Sequence, residues 1–575
     1  MTLYDPAAEW TGLLVDALRR AGVTELVVSP GSRSTPVVLA AEREGLPMRD
    51  VVDERSAAFV ALGRARAGAL TACLCTSGTA PAHWFPAVIE ASEARVPLLL
   101  LSADRPLELS DCAAPQTIQQ MNLFGGHVRH FAELGLPDFD LDAARGLRRR
   151  VAQAVALSVG PPAGPVHLNV RFRKPLEPHL AHSDEEAQSR ALRTLREEPF
   201  PRRWAPAAAL CSEATAQLTE VFGRRRGVFV AGPASPAQAG ARDAILALAR
   251  RIGWPIVADS TSQLRFGPSH GAVIVDAGEQ IARAAPRLAL EPEVVVQLGA
   301  PPTSSIWQVV PRLVIAPDGW PDPGQRASML AADAETVART FLDENLTPPA
   351  RTEWAALWAR ANDAAMTATD GVLGDAGLCE ATVARAALAA LPRDGLFFVG
   401  NSLSIRHLDA YAAAGTVPVG VLCQRGANGI DGLISGAAGA ASTGRPVTLL
   451  VGDVSLLHDV GGLWAARDAG DLDLVVVDNG GGRIFEQLAL GGVASATTMS
   501  HFVTPPRLQL SSLAQAFGLD FASVADRVEL GEVLKRRTGR TRLVEVRVEP
   551  NNARRIDHAV TTAVDRALDM AGFGR

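Results

Sequence analysis

A chain of 575 residues is too long for a single hydrophobic core, and about three domains is the natural expectation. With 47% hydrophobic and 21% charged residues and a formal net charge of −6, the balance is that of a globular enzyme, and nothing in it calls for nucleic acid as a partner. No low-complexity tract or short-period repeat points to disorder or a solenoid. Basic runs at Arg148 to Arg150, Arg224 to Arg226 and Lys535 to Arg540 lack interleaved aromatics and read as solvated surface. Six cysteines, Cys73, Cys75, Cys112, Cys211, Cys379 and Cys423, show no pair at zinc spacing, and those in apolar runs read as reduced, packed side chains. The opening MTLYDPAAEW has no basic region followed by an apolar one, and no stretch suits a bilayer. The expectation is a cytoplasmic protein without a membrane partner.

In chain order, Ala7 to Ala21 reads as an amphipathic helix and Glu25 to Ser29 as a buried strand. SPGSRSTP then places Ser32, Arg33, Ser34 and Thr35 in a loop, with Pro36 starting a helix. Such a loop offers an arginine fork and hydroxyls to a carboxylate, and equally fits a capped helix start with a surface arginine. Strand Arg49 to Asp53 leads to Glu54 at the opening of helix Arg55 to Ala67, a position favoured by the helix dipole. Leu70 to Cys75 is a strand running into TSGTAPAHWFPAVIEA, where His83 reads as a packed helix residue. Strand Val96 to Ser102 precedes ADRPLEL and DCAAPQTIQQMNLF, whose Gln116 is the polar residue to single out. GPVHLNVRFRKP, within Pro162 to Pro175, closes the first domain, and the Glu- and Arg-rich Glu177 to Arg203 reads as a linker. Strands Gly227 to Gly232, Pro255 to Asp259, Glu293 to Gly299 and Arg312 to Ala316 alternate with helical stretches as a second parallel α/β layer. Their GP and GAPP loops carry no GxGxxG fingerprint. A proline-rich second linker spans Asn345 to Arg351.

The last third opens with a helix near Cys379 to Leu391 and a strand, Leu396 to Gly400, running into NSLSIRHLD. Ser402 and Arg406 share a face if that segment is helical. CQRGANGIDG places Arg425 and Ile430 in a glycine-rich turn. Strands Val447 to Val451 and Leu474 to Val477 then end in GDVSLLHD and DNGGGRIF, joined through Gly461, Gly462 and an alanine-rich crossover helix. In an open parallel sheet, ligands bind at such strand ends. Asp453 offers a carboxylate oxygen, Asn479 an amide oxygen and the following glycines a backbone carbonyl, which are hard donors for Mg2+. The helix opening behind Gly452 offers free amides to a diphosphate. Gly-Asp after a strand is commonly only a turn, so the pairing of the two loops carries the signal.

SPGSRSTP, DERSAAF, TSGTA, SADRP with DCAAPQTI, GPVHLNV, GNSLSIR, RGANGIDG, and GDV with DNGGGRIF together resemble the 2-succinyl-5-enolpyruvyl-6-hydroxy-3-cyclohexene-1-carboxylate synthase family of menaquinone biosynthesis. That family lies within the thiamine diphosphate enzyme superfamily, and the resemblance extends over nearly the whole chain. It implies an α/β fold of three doubly wound parallel-sheet domains: pyrimidine-binding (1–180), central (205–343) and diphosphate-binding (353–575). It also implies a transferase that decarboxylates 2-oxoglutarate with thiamine diphosphate and adds the resulting acyl carbanion to isochorismate. Mg2+, with Mn2+ as the alternative, would be held by Asp453, Asn479 and Gly481. Glu54 would be the acid/base relay against the aminopyrimidine ring. Ser402, Ile430, Gly452, Val454, Ser455 and Ile484 would join it around the cofactor, Ile430 propping its bent shape. Ser32, Arg33, Gln116, Ser402, Arg406 and Arg425 would hold the carboxylate-rich substrates, with arginine suited by its planar fork. Ile484 and Phe485 would wall the reacting carbon from water. The cofactor would sit between subunits, with Glu54 from one chain and Asp453 from the other, making a homodimer the minimum and a tetramer its extension.

The match departs at three points. Val454 stands where many superfamily members have Gly, Asp478 where many have Asn, and Ser304-Ser305-Ile306-Trp307 where the family often has a basic residue reaching substrate. Two rivals remain open. Another thiamine enzyme, of the acetolactate synthase or benzoylformate decarboxylase kind, would explain Glu54 and Asp453 but leave the arginine motifs as coincidence. An inactive homologue would have no physical reason to keep a relay acid together with a metal-ligand set.

Overall fold

The computed structural model describes residues 3–204, 209–234, 240–344, 346, 352–550 and 552–574. Apart from Leu346, the expected Asn345 to Arg351 linker lies outside the described residues. The chain forms three six-stranded sheets, each wholly parallel. The first holds β1 (Glu25–Val28), β2 (Met48–Asp50), β3 (Thr71–Cys75), β4 (Leu98–Asp104), β5 (His130–Gly135) and β6 (Pro165–Arg171) in the order β2-β1-β3-β4-β6-β5. The second holds β7 (Gly227–Ala231), β8 (Ile256–Ala258), β9 (Ile274–Val275), β10 (Val294–Leu298), β11 (Leu313–Ala316) and β12 (Ser328–Ala331), in the order β12-β11-β10-β7-β8-β9. In the third, β13 (Leu396–Val399), β14 (Gly420–Cys423), β15 (Val447–Gly452), β16 (Leu472–Asp478), β17 (Asp520–Val524) and β18 (Arg542–Arg547) repeat the first pattern as β14-β13-β15-β16-β18-β17. Apolar runs such as Leu98 to Leu101 and Val475 to Val477 are buried throughout, as parallel strands covered on both faces must be. The α/β fold with three doubly wound sheets is as expected. Strands β5, β9, β12, β14, β17 and β18 and the helix Leu141–Val159 are additions to the sequence reading.

Two compact units emerge. One comprises Met1–Pro206, Gln424–Thr443 and Asp459–Asp468, and the other comprises Ala207–Cys423, Gly444–His458 and Ala469–Arg575. In the first unit, helix Glu54–Arg66 lies directly against helix Leu433–Ala441. A Cβ at Gly63 would stand 1.9 Å from the Gly436 carbonyl oxygen, and one at Gly439 2.0 Å from that of Val60. The helices therefore meet backbone to backbone, which only the small residues of SGAAGAA permit.

The segment expected as a linker is a docked part of the first unit. Leu180 bridges antiparallel to Tyr4, and helix Glu186–Thr194 buries Ser189 and Leu192. Its charges are paired: Arg193 with Glu9, and Arg196 with Glu44 at 2.7 Å. The basic runs divide likewise. Arg224 to Arg226 are exposed, but Arg148 is buried and donates to the Glu198 carbonyl at 2.9 Å. Arg537 pairs with Asp471 at 2.9 Å and Asp473 at 3.1 Å.

In the second unit, the strand order of the middle sheet is that of dinucleotide-binding folds, with its reversal between β7 and β10. At that point the two backbones approach closely: a Cβ at Gly232 would lie 2.0 Å from the Ala300 carbonyl oxygen. Beyond it Trp307 is buried, its Nε1 donating to the Gly278 carbonyl at 3.1 Å. Gly439→Val should lower the midpoint of thermal unfolding, since overpacking such a contact costs about 1–3 kcal/mol. Gly371→Ala, in helix Thr352–Asp375 with nothing within 4 Å of the added carbon, should leave the midpoint unchanged or raise it. Calorimetry of both variants checks the pair.

Candidate active site

In the third sheet the strand order reverses between β13 and β15, where a doubly wound sheet opens a crevice. Glu380, Asn401, Ser402, Asp453, Asn479 and Gly481 line a cavity there. Asp453, directly after β15, is buried, with Oδ1 accepting from the Val454 amide at 2.8 Å and Oδ2 from the Gly481 amide at 2.8 Å. Burial raises its pKa, and those two amides pull it back. Asn479, at the end of β16, donates through Nδ2 to Glu380 Oε1 at 3.1 Å. That bond makes Oδ1 the amide atom available to a ligand. Among the described residues, Glu380 Oε2 is buried without a hydrogen-bond partner, and burial raises the Glu380 pKa. Gly481 has φ +117°, and a Cβ on it would meet the Val503 carbonyl oxygen at 2.1 Å. Only glycine fits.

Ser402 precedes helix Leu403–Tyr411 with φ 67° and ψ −127°, a costly conformation for a residue with a side chain. Arg406 is exposed and donates to the Ser402 carbonyl at 2.8 Å, so the two meet through the main chain. Gly452, Val454 and Ser455 also line the cavity, whereas Arg406, Ile484 and Phe485 do not. Ile484 and Phe485 are half-buried in the turn Arg483–Glu486, and the Phe485 ring lies tilted against that of Phe502 with centroids 5.3 Å apart. The helix expected behind Gly452 is Asp453–His458 and the alanine-rich crossover helix is Gly462–Arg467, the two separated by the turn Asp459 to Gly461.

The first sheet has its own reversal, between β1 and β3. Arg33 there is only 5% exposed, which removes the surface-arginine alternative. Its amide donates to Thr76 Oγ1 at 3.4 Å and its Nη1 to the Phe172 carbonyl at 2.7 Å. Burial and then the neighbouring Arg105 lower its pKa. Gln116 is exposed, with φ +57°. It is held by Nε2 donating to the Ser77 carbonyl at 3.1 Å, while its own carbonyl accepts from Ser77 Oγ at 3.0 Å and Arg105 Nε at 3.3 Å. Ser32 is exposed beside Arg33. Glu54 is half-buried at the first position of its helix, behind the cap Asp53. Burial and then the Glu54 carboxylate push the Cys75 thiol well above its ordinary pKa, which places Glu54 beside the end of β3. Arg425 and Ile430 are half-buried in their turn. His83 is exposed in a 3-10 turn rather than packed, while its neighbour Trp84 takes the buried position.

Sequence reasoning missed Glu380, Arg105 and Gln120. Gln120 is fully buried and accepts from the Gly78 amide at 3.1 Å while donating to Asn169 at 2.9 Å. Arg105 was legible in SADRP as a cation beside a strand end. Glu380 reads only as an ordinary helix start, and only tertiary proximity to Asn479 gives it a role.

Residues 9–123 match the family described as "Thiamine pyrophosphate enzyme, N-terminal TPP binding domain", and residues 421–548 its C-terminal TPP binding domain. The fold is that of the thiamine diphosphate-dependent 4-hydroxybenzoylformate decarboxylase of Rhodococcus jostii, with a TM-score of 0.67 at 16% identity over 94% of this chain and 99% of that one. The chain is a thiamine diphosphate-dependent enzyme. Within that class, proteins described as 2-succinyl-5-enolpyruvyl-6-hydroxy-3-cyclohexene-1-carboxylate synthase are similar nearly end to end. That of Sorangium cellulosum is 43% identical over 94% of this chain and 93% of its own length. Those of Myxococcus xanthus and Geobacillus kaustophilus are 40% identical over 94% of each chain and 38% identical over 90% of each. The chain belongs to this synthase family, as its motifs indicated. Gly481→Ala should weaken thiamine diphosphate binding at least about fivefold, the lower bound of a 1–3 kcal/mol backbone strain. Gly531→Ala, with nothing within 4 Å of the added carbon, is the control in calorimetric titration.

Proposed function

We propose that this chain decarboxylates 2-oxoglutarate and transfers the four-carbon remainder to isochorismate, forming the product for which its relatives are named. The observation that carries this reading is 43% identity over 94% of the chain to a synthase of that name. The sequence divides functionally into the pyrimidine-binding, central and diphosphate-binding domains at 1–180, 205–343 and 353–575. The working assembly is a cytoplasmic homodimer, which a tetramer would extend.

The donor set fits Mg2+, and Mn2+ through the same oxygens. Asp453 supplies a carboxylate, Asn479 an amide oxygen oriented by Glu380, and Gly481 a carbonyl in a loop too tight for any side chain. Val454, Ser455 and Gly452 line the same cavity and suit the diphosphate. Bound thiamine diphosphate supplies the electron sink that 2-oxo acid decarboxylation requires. Glu54 holds and moves a proton at the aminopyrimidine nitrogen. Ile430 props the cofactor, and Ile484 and Phe485 exclude water from the reacting carbon. Ser32, Arg33, Gln116, Ser402, Arg406 and Arg425 bind substrate carboxylates. Arg33 suits this role because it lies close enough to Arg105 for the second guanidinium to lower its pKa. Two neighbouring cations in a partly desolvated crevice are a receptor for carboxylate charge.

Incubation with thiamine diphosphate, Mg2+, 2-oxoglutarate and isochorismate should give the succinylated cyclohexene product by mass spectrometry. Decarboxylation without addition to isochorismate would instead favour another thiamine-dependent carboligase. Glu54→Gln should bind the cofactor nearly normally and lose about a hundredfold to ten-thousandfold in kcat. Retention of more than about a tenth of the wild-type rate would remove the relay role.

Mg2+ affinity in the presence of thiamine diphosphate, followed calorimetrically, tests the metal assignment. Asp453→Ala should abolish the Mg2+ dependence of cofactor binding. Glu380→Ala should weaken Mg2+ about tenfold to a hundredfold. Glu380→Gln, which keeps an acceptor for Asn479, should recover most of the loss. Unchanged Mg2+ affinity in Asp453→Ala would move the metal elsewhere.

A further inference from the structure

The first unit carries a second cluster of ligating side chains that the proposed reaction does not use. After β6 the chain bridges to the amino-terminal segment at Tyr4 and Leu180 and then turns into helix Glu186–Thr194. On this turn His179, His182 and Glu185 follow an HxxHxxE spacing and bring one ligand atom each to within 4.8 Å of the others. All three belong to the segment whose charge and lack of periodicity read as a linker.

The main chain fixes the positions of all three. Asp5 N–H donates to the His179 carbonyl at 2.9 Å, and His179 N–H returns a bond to Asp5 Oδ2 at 3.0 Å. The amides of Glu185 and Glu186 both donate to the His182 carbonyl, at 2.9 and 3.0 Å, while His182 N–H donates to Glu185 Oε2 at 3.0 Å. The side chains are ordered about the same point. His179 Nε2 lies 3.0 Å from Glu185 Oε2, and its Nδ1 lies 3.7 Å from Oδ2 of the buried Asp5. The His182 ring stacks on that of His179 with centroids 5.0 Å apart and planes 30° apart.

Metal sites orient a ligating histidine through the groups around it, and here the His179 ring is set by Glu185, by the stacked His182 ring and by the backbone bonds of its turn to Asp5. A simple surface contact between His179 and Glu185 would leave the stacked second imidazole without a role. We infer that His179 Nε2, His182 and Glu185 form a site for a divalent transition metal ion of the zinc class, with water completing the coordination. Two imidazoles are borderline donors, and beside one carboxylate they favour zinc, cobalt, nickel or copper over magnesium. The site is therefore chemically distinct from the hard-oxygen set at Asp453. Occupancy would clamp the turn through His179 to Asp5, whose carboxylate also caps the first helix, Pro6–Arg20.

The test is titration of the chelator-stripped full-length protein with zinc alone, read by competition with a chromophoric chelator. Wild type should bind one more equivalent than His182→Ala or Glu185→Gln. That difference excludes any zinc taken up at Asp453, which all three proteins share. Zinc should raise the unfolding temperature of wild type more than that of either variant. Cobalt should give wild type the visible absorption of a low-coordinate site, and that absorption should be absent from both variants. Circular dichroism of the metal-free variants and their turnover with thiamine diphosphate and Mg2+ should match wild type, which establishes that the variants are folded. Equal zinc stoichiometry and equal thermal response in wild type and the folded variants would overturn the assignment.

Discussion

A carboxylate taken out of water needs donors, and Asp453 finds two in amides from different segments, those of Val454 and Gly481, both at 2.8 Å. The second bond joins the helix start after β15 to the loop after β16, whose Asn479 lines the same cavity. Everything else in that crevice follows from it. Gly481 must be glycine because the loop passes under the Val503 carbonyl. Asn479 is turned by Glu380, and Asn479's own carbonyl accepts from Arg483 Nε at 3.1 Å. The cavity is thus shaped by backbone geometry and one buried carboxylate, with Gly481 and Glu380 holding the loop and the amide beside it.

The first and third sheets share one strand order, and each presents its chemistry where that order reverses. In one, Arg33 and the Ser77 to Gln116 contacts gather at the crevice; in the other, Asp453, Asn479 and Ser402 do. The middle sheet has a different order, and the backbones of Gly232 and Ala300 approach closely at its reversal. Topology offers a ligand site to all three sheets, and the side chains at each reversal decide what chemistry is presented there.

Arginine supplies the structural as well as the candidate binding cations. Arg171 pairs with Asp104 at 3.0 Å inside the first unit, and Arg537 and Arg542 converge on Asp473 inside the second. A guanidinium can satisfy several acceptors at once from a fixed plane, which suits burial. The same property hides these residues from composition. Arg148 and Arg537 stand in basic runs that look solvated, yet each is enclosed by acceptors from remote segments.

Short-range pattern by itself determined the strands with continuous apolar runs, the loops that end them, and the motifs that carry the family. Strand burial and strand-end chemistry are written in neighbouring residues, so Asp453, Asn479, Gly481, Arg33 and Glu54 were legible there. Tertiary structure alone decided which distant segments share a unit. Helix Leu433–Ala441 follows a strand of the third sheet, yet it packs on Glu54–Arg66, because small residues on both let their backbones touch. The segment Glu177 to Arg203 docks because its charges meet Glu9 and Glu44, partners well over a hundred residues away in sequence. Glu380 gains its role from a hydrogen bond spanning 99 positions. Such pairings depend on where the chain returns, and a linear pattern of side chains carries no record of that.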